Sequence, residues 1–397
     1  STRAPRDGGT LDVGEFTLPS VTLNPGEYVI VSGNTGGKSQ RGVEKLLIST
    51  GTLVPFWAPT YGFIEILTSN VTIDFVLIGG THTSRSANQW SGAAIASSAI
   101  NSESGYGRSV VRLFPQTSDI GTNSVAEWTN VAWMTPGGRN DVPASASDAD
   151  NDGIPDTAEV SGGTFAGIDL HNLGARLNQR DIFVEVDFMD STDAGVLPKR
   201  EALQKVVDSF AARNFRVHFD AGTTFSQTVS LSDFNLGQNR ARVPYEKCVT
   251  FDSTTCVANI SSRRSAYDWK DEFMELRRLP VFHYMLFGSS QKNTGESGSS
   301  GLGELSGNDL LITLGGYGLK DIAGRSRNIL INWQAGTVMH ELGHNLALSH
   351  GGNEETNDKP NYWSVMNYLY GLNGLDPDAR SGSAYLRWRN DKGDKTP

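Results

Sequence analysis

"HELGHNLALSH", His340 to His350, decides how the second half of this chain reads. Two histidines stand four residues apart, a spacing that on an α-helix stacks both imidazoles on one face, where they can share one ion. Glu341 is turned about a hundred degrees from His340, close enough to serve a water molecule without becoming a ligand. Hydrolysis needs that division of labour: a zinc ion lowers the pKa of water from 15.7 to about 7, and a carboxylate takes the proton. His350 lies too far along for the same helical face, so the helix must break if it is to swing back and complete a three-histidine site. Three protein ligands and one open position make the catalytic arrangement of zinc. The plain alternative is an amphipathic helix whose histidines sit at the surface.

Downstream stands "SVMNY", with Met366 sixteen residues after His350. The two motifs together resemble the metzincin zinc peptidases, whose extended pattern is H-E-x-x-H-x-x-G-x-x-H followed by a methionine turn. The resemblance covers residues 164–397. It implies an α+β catalytic domain in which His340, His344 and His350 hold zinc, Glu341 is the general base and Met366 is the apolar floor under the metal. It also implies an edge strand above the cleft, around Leu302 to Leu305, that pairs with an extended substrate. Tyr368, two residues after Met366, would ligate zinc or donate to the oxyanion; its plain reading is a buried aromatic near the floor. One departure stands out. Where the family has a glycine to turn the chain out of the helix, this sequence has Ala347, and a non-glycine residue in a left-handed conformation costs on the order of 1 kcal/mol. The break is therefore expected at Ala347 or at a neighbour.

Working back from the motif, "DIFVEVDFM", "FRVHFD", "LPVFHYMLFG" and "DLLITLGG" read as strands. "PKREALQKVVDSFAAR" reads as a helix, with Leu203, Val206, Val207 and Phe210 on one apolar face. The Gly/Ser-rich stretch "GSSQKNTGESGSSGLGELSG" is either a flexible surface loop or a loop bordering a cleft. His82, His171, His218 and His283 have no partner at ligand spacing and read as structural or surface residues.

Residues 1–141 differ in kind. Short apolar runs such as "GEYVIVSGN", "GFIEILTSN" and "VTIDFVLIGG", punctuated by Gly, Asn and Pro, predict an all-β sandwich. "LNPGEYVIVSGN", "IEILTSNVTIDFV" and "EWTNVAWMTPGGRNDV" are similar to the lamin-tail type of immunoglobulin-like domain. The predicted organisation is thus this sandwich at 1–141, an acidic linker at 142–163 and the metzincin-like domain at 164–397.

Within the linker, "DADNDGIPDTAE" matches the calcium-loop pattern D-x-[DN]-x-[DN]-G-x5-E residue for residue. The expected ligands are Asp148, Asp150, Asp152, the carbonyl of Ile154, Asp156 directly or through water, and Glu159. The alternative is a solvated acidic linker.

The remaining signals bound the setting. Cys248 and Cys256 are the two cysteines, close enough in "CVTFDSTTC" to predict a local disulfide and an oxidising compartment. The net charge of −10 over 397 residues argues against a nucleic-acid surface. No apolar stretch approaches the roughly 18 residues that would span a bilayer. The reading is a secreted, extracellular, bacterial-type protein, its signal peptide removed and further C-terminal modules allowed for by the unfinished end "NDKGDKTP". It acts as a monomeric zinc endopeptidase on protein or peptide substrates and carries structural calcium. Two other classes stand beside it: a gluzincin-type peptidase in which a downstream glutamate replaces His350, and a non-catalytic adhesin that binds zinc and calcium.

Overall fold

The computed structural model describes residues 2–5, 13–18, 20, 22–23, 27–32, 40–42, 45–49, 62–86, 89–96, 109–112, 123–238, 240–252, 256, 264–372, 388–389 and 395–396. The turns expected at residues 24–26 and 33–34, loop residues 253–255 and most of "NDKGDKTP" lie outside them. The chain divides into two compact units. One comprises Ser1–Ala149, Gly153–Asn172 and Glu275–Pro280, and the other Asp150–Asp152, Leu173–Met274 and Val281–Pro397.

Among the described residues the first unit holds strands and short 3-10 turns and no α-helix. Its main sheet runs Val13–Phe16, Thr2–Pro5, Gly62–Thr68, Val71–Ile78, each pair antiparallel. The last two strands form a hairpin turned by Ser69 and Asn70, at φ 46° and 65°, the doubly left-handed turn that matches strand twist. Alternation puts Phe63, Phe75 and Leu77 on one face, where they pack with Ile78, Trp90 and Ile95.

The second unit mixes strands and helices: β1 (Arg180–Met189), α1 (Arg200–Ala211), β2 (Phe215–Asp220), β3 (Arg242–Val243), α2 (Ala266–Phe273), β4 (Phe282–Phe287), β5 (Gly301–Gly303), β6 (Asp309–Ile312) and α3 (Arg325–Asn345). They build a six-stranded sheet of order β2-β1-β4-β6-β5, with β3 paired to β1. All pairs are parallel except β5, which closes the edge antiparallel to β6. Every residue of β1 after Arg180 is buried, as a parallel strand covered on both faces requires. Its even-numbered side chains Val184, Val186 and Phe188 meet Ala202, Leu203 and Val206 of α1 and Leu330, Ala335, Val338 and Leu342 of α3. Val207 and Phe210 complete the α1 face, partly buried. The buried Gln334 amide fixes α3 further, donating to the Leu197 carbonyl at 2.8 Å and accepting from the Lys199 N–H at 2.9 Å. Cys248 and Cys256 form a disulfide.

Candidate metal centre

The last turns of α3 carry His340 and His344 on one face, ring centroids 4.8 Å apart, and His350 returns to within 5.3 Å and 4.9 Å of them. One ring nitrogen from each of the three lies within 4.8 Å of the others. The Nδ1–H of His340 donates to the Val365 carbonyl at 2.7 Å, and that of His344 to the Leu348 carbonyl at 2.8 Å. A carbonyl can only accept, so both rings keep Nε2 unprotonated and available to a metal. Burial lowers the His340 imidazole to about 4 and moves His344 below its ordinary value too. Neutral imidazoles oriented through their far nitrogen are the donor set zinc takes, so these residues fit that ion.

Glu341 lies next to this cluster, only 4% exposed, and burial pushes its carboxyl up to about 8. Edge strand β5 runs directly against it. A Cβ on Gly301 would fall into the Glu341 carboxylate, and one on Gly303 would stand 2.6 Å from the Glu341 carbonyl oxygen and 3.0 Å from the His344 Cβ. Glycine at both positions is what lets the strand approach the helix this closely. Ser300 and Glu304 pair with Thr313 and Asp309 of the adjoining chain, so the backbone groups of Gly301 and Gly303 point to the open edge. The Gly301 carbonyl is already capped there, by Gln291 Nε2 at 2.9 Å and Ser299 Oγ at 2.8 Å.

Met366 is 1% exposed, and its sulfur packs where a side chain at Gly343 would be. The glycine of "HELGH" thereby lets the methionine turn seat under the helix. Asn367 holds that turn, donating to the Lys359 and Tyr362 carbonyls at 2.6 Å and 3.0 Å. The same turn presents the Val365 carbonyl to His340.

The helix breaks at Ala347 itself, which takes φ 67°. Its N–H bonds the His344 carbonyl at 2.9 Å, and the Leu348 N–H reaches back to the Gly343 carbonyl at 2.9 Å. This is the Schellman ending with alanine where glycine is usual. Ala347→Gly is expected to raise unfolding free energy by about 0.5–1 kcal/mol in urea titration, with metal content unchanged. Just before the break, Asn345 ties helix to hairpin: its Nδ2 donates to the carbonyls of Glu304 at 3.0 Å and Asp309 at 2.9 Å, and its Oδ1 accepts from His283 Nδ1 at 3.0 Å.

A cleft of about 570 Å³ opens over the histidines, with β5 along one side and Tyr317, Gly336 and Thr337 in its wall. The Gly/Ser-rich stretch borders it: Gly298 to Gly301 are lining residues, fastened by bonds such as Tyr317 Oη to the Gly298 carbonyl. Tyr368 also lines it, its ring 4.3 Å from that of His350. At 61% exposure it is no buried floor aromatic. Partial burial raises its phenol above the ordinary value, leaving it a donor at neutral pH.

Of the other histidines, His218 pairs with Asp181 at 2.6 Å, the His82 ring lies tilted 5.2 Å from that of Phe63, and none of the four joins a metal-sized group among the described residues. In the acidic loop Asp148, Asp150 and Asp152, within five consecutive residues, bring one carboxylate oxygen each within 4.8 Å of one another. Gly153 takes φ 92°, the turn the pattern requires. Asp156 accepts from Ser147 Oγ at 2.5 Å and the Ala149 N–H at 2.9 Å, and these bonds hold its carboxyl below the usual value. The side chain of Ile154 is buried.

Sequence reasoning passed over Asn345 and Gln291. The polar Asn345 directly after a candidate ligand was the one available signal; Gln291 acts through loop geometry. No protein-family model, no curated protein and no solved structure matches this chain.

Proposed function

We propose that this chain is a secreted zinc endopeptidase of metzincin type, with a lamin-tail-like immunoglobulin sandwich ahead of the catalytic unit. The observation that carries the reading is the convergence of three imidazoles beside a buried carboxylate in an open cleft. Zinc held by the free nitrogens of His340, His344 and His350 would polarise a scissile carbonyl and acidify water. The charge of a zinc ion at the histidines would draw the buried Glu341 carboxyl back to its ionised form, and Glu341 then takes the proton from the attacking water and hands it to the departing amine, so that a C–O bond forms as the C–N bond breaks. Tyr368 donates its phenolic hydrogen to the developing oxyanion. β5 offers the outward N–H groups of Gly301 and Gly303 and the Gly303 carbonyl to an extended peptide. The gathering of Asp148, Asp150 and Asp152 supports a calcium ion in the loop.

Secretion accords with the disulfide, and no described helix is long and apolar enough to cross a membrane. The test is metal analysis joined to a peptide-library digest. One zinc per chain and cleavage that a chelator abolishes and zinc restores are the expected results. Protein that binds zinc and cuts nothing in the library would overturn the proposal and favour the adhesin.

A further inference from the structure

Among the described residues lining the cleft, one carboxylate stands besides that of Glu341, namely Glu355. It is carried on a tight loop that leaves the last candidate ligand. Ser349 and Gly352 exchange backbone bonds at 2.7 Å and 2.8 Å, and the Gly351 N–H reaches the Glu354 carbonyl at 2.9 Å. Within this loop the Ser349 hydroxyl donates to Glu355 Oε1 at 2.7 Å, which aims the carboxylate along the wall beside His350.

The two neighbouring glutamates differ in how their charge is met. Glu354 is neutralised by Lys359 at 2.5 Å, and the same ammonium also donates to the Gly351 carbonyl at 3.1 Å. The nearby cation is thus committed. Glu355 has no lysine or arginine within ion-pair distance among the described residues, and its bond from Ser349 is a neutral one. Elsewhere the cleft lining includes the uncharged Ser299, Gly303 and Leu305. An exposed carboxylate at the rim of the cleft, held by Ser349 and without a lysine or arginine partner among the described residues, is complementary to a positive group arriving from outside.

We propose that the cleft selects peptides with a lysine or arginine side chain close to the cleaved bond, and that Glu355 receives that side chain. The inference rests on the hydrolytic reading above. A preference of about two- to fivefold in kcat/KM over neutral side chains is the size expected of an ion pair at an exposed carboxylate.

The test is a peptide library with every residue type at each position around the cut, digested by wild type, Glu355→Gln and Glu355→Lys, with zinc content measured for all three. Wild type is expected to show the basic enrichment at one position, Glu355→Gln to reduce it to near unity, and Glu355→Lys to turn it toward Asp and Glu. Cleavage with no basic enrichment, or enrichment that survives in Glu355→Gln, overturns the assignment while leaving the peptidase reading in place. Wild-type protein that cuts no peptide removes both. Should either variant lose zinc, the wild-type profile alone decides.

Discussion

Glu341→Ala protein is expected to keep its zinc and to lose peptide hydrolysis by a factor of about 10²–10⁴, the usual contribution of a positioned general base. The position of the Glu341 carboxylate is the reason. It occupies a buried slot bounded by Gly301 above and the helix below, and among the lining residues no carboxylate other than Glu355 is present to take its part. Glu341 is no member of the group of converging histidines, so its loss leaves the ligand set whole. Metal analysis and kcat/KM on one library peptide check both halves. Cleavage at the wild-type rate by the alanine variant removes Glu341 from the mechanism.

His350→Ala should act on the other quantity. It takes away one of three nitrogens that lie within 4.8 Å of each other, and zinc binding should weaken by more than the roughly 10–100-fold that follows from losing an outer partner. Activity should fall with it and recover in part at high zinc. Competition with a chelator of known affinity reads the change directly. Zinc stoichiometry and affinity unchanged in this variant would point to a different third ligand, the gluzincin arrangement. The structure favours histidine: among the described residues no glutamate joins His340 and His344 in a metal-sized group, Glu355 included.

The histidine cluster was legible because helix geometry is short-range. A four-residue spacing fixes the angle between His340 and His344, and the need for His350 to return demands a break after Asn345. The parallel core was legible for the same reason, since the apolar run of β1 and the three-and-four spacing of α1 each state how they are buried. What escaped is what chain topology assembles. The carbonyls of Val365 and Leu348 orient the His340 and His344 rings, yet every residue has a carbonyl and none announces its direction. Composition made residues 288–307 look loose, whereas their backbone is held by Gln291, Ser299 and Tyr317. The bonds by which Asp156 ties the calcium-pattern loop to Ser147 and Ala149 are likewise local contacts that a pattern does not state. Ala347 shows the converse: the family's pattern asks for glycine, and the double hydrogen bond of the helix ending holds alanine in the same conformation.

The short edge strand β5 has a consequence for the solution behaviour of the protein. An unpaired sheet edge is a template for another chain's strand, and long open edges lead to self-association. Here the edge is three residues long, and one of its outward carbonyls is already occupied by Gln291 and Ser299. Three residues of exposed backbone are too few to template a long ladder, which limits self-association through this edge.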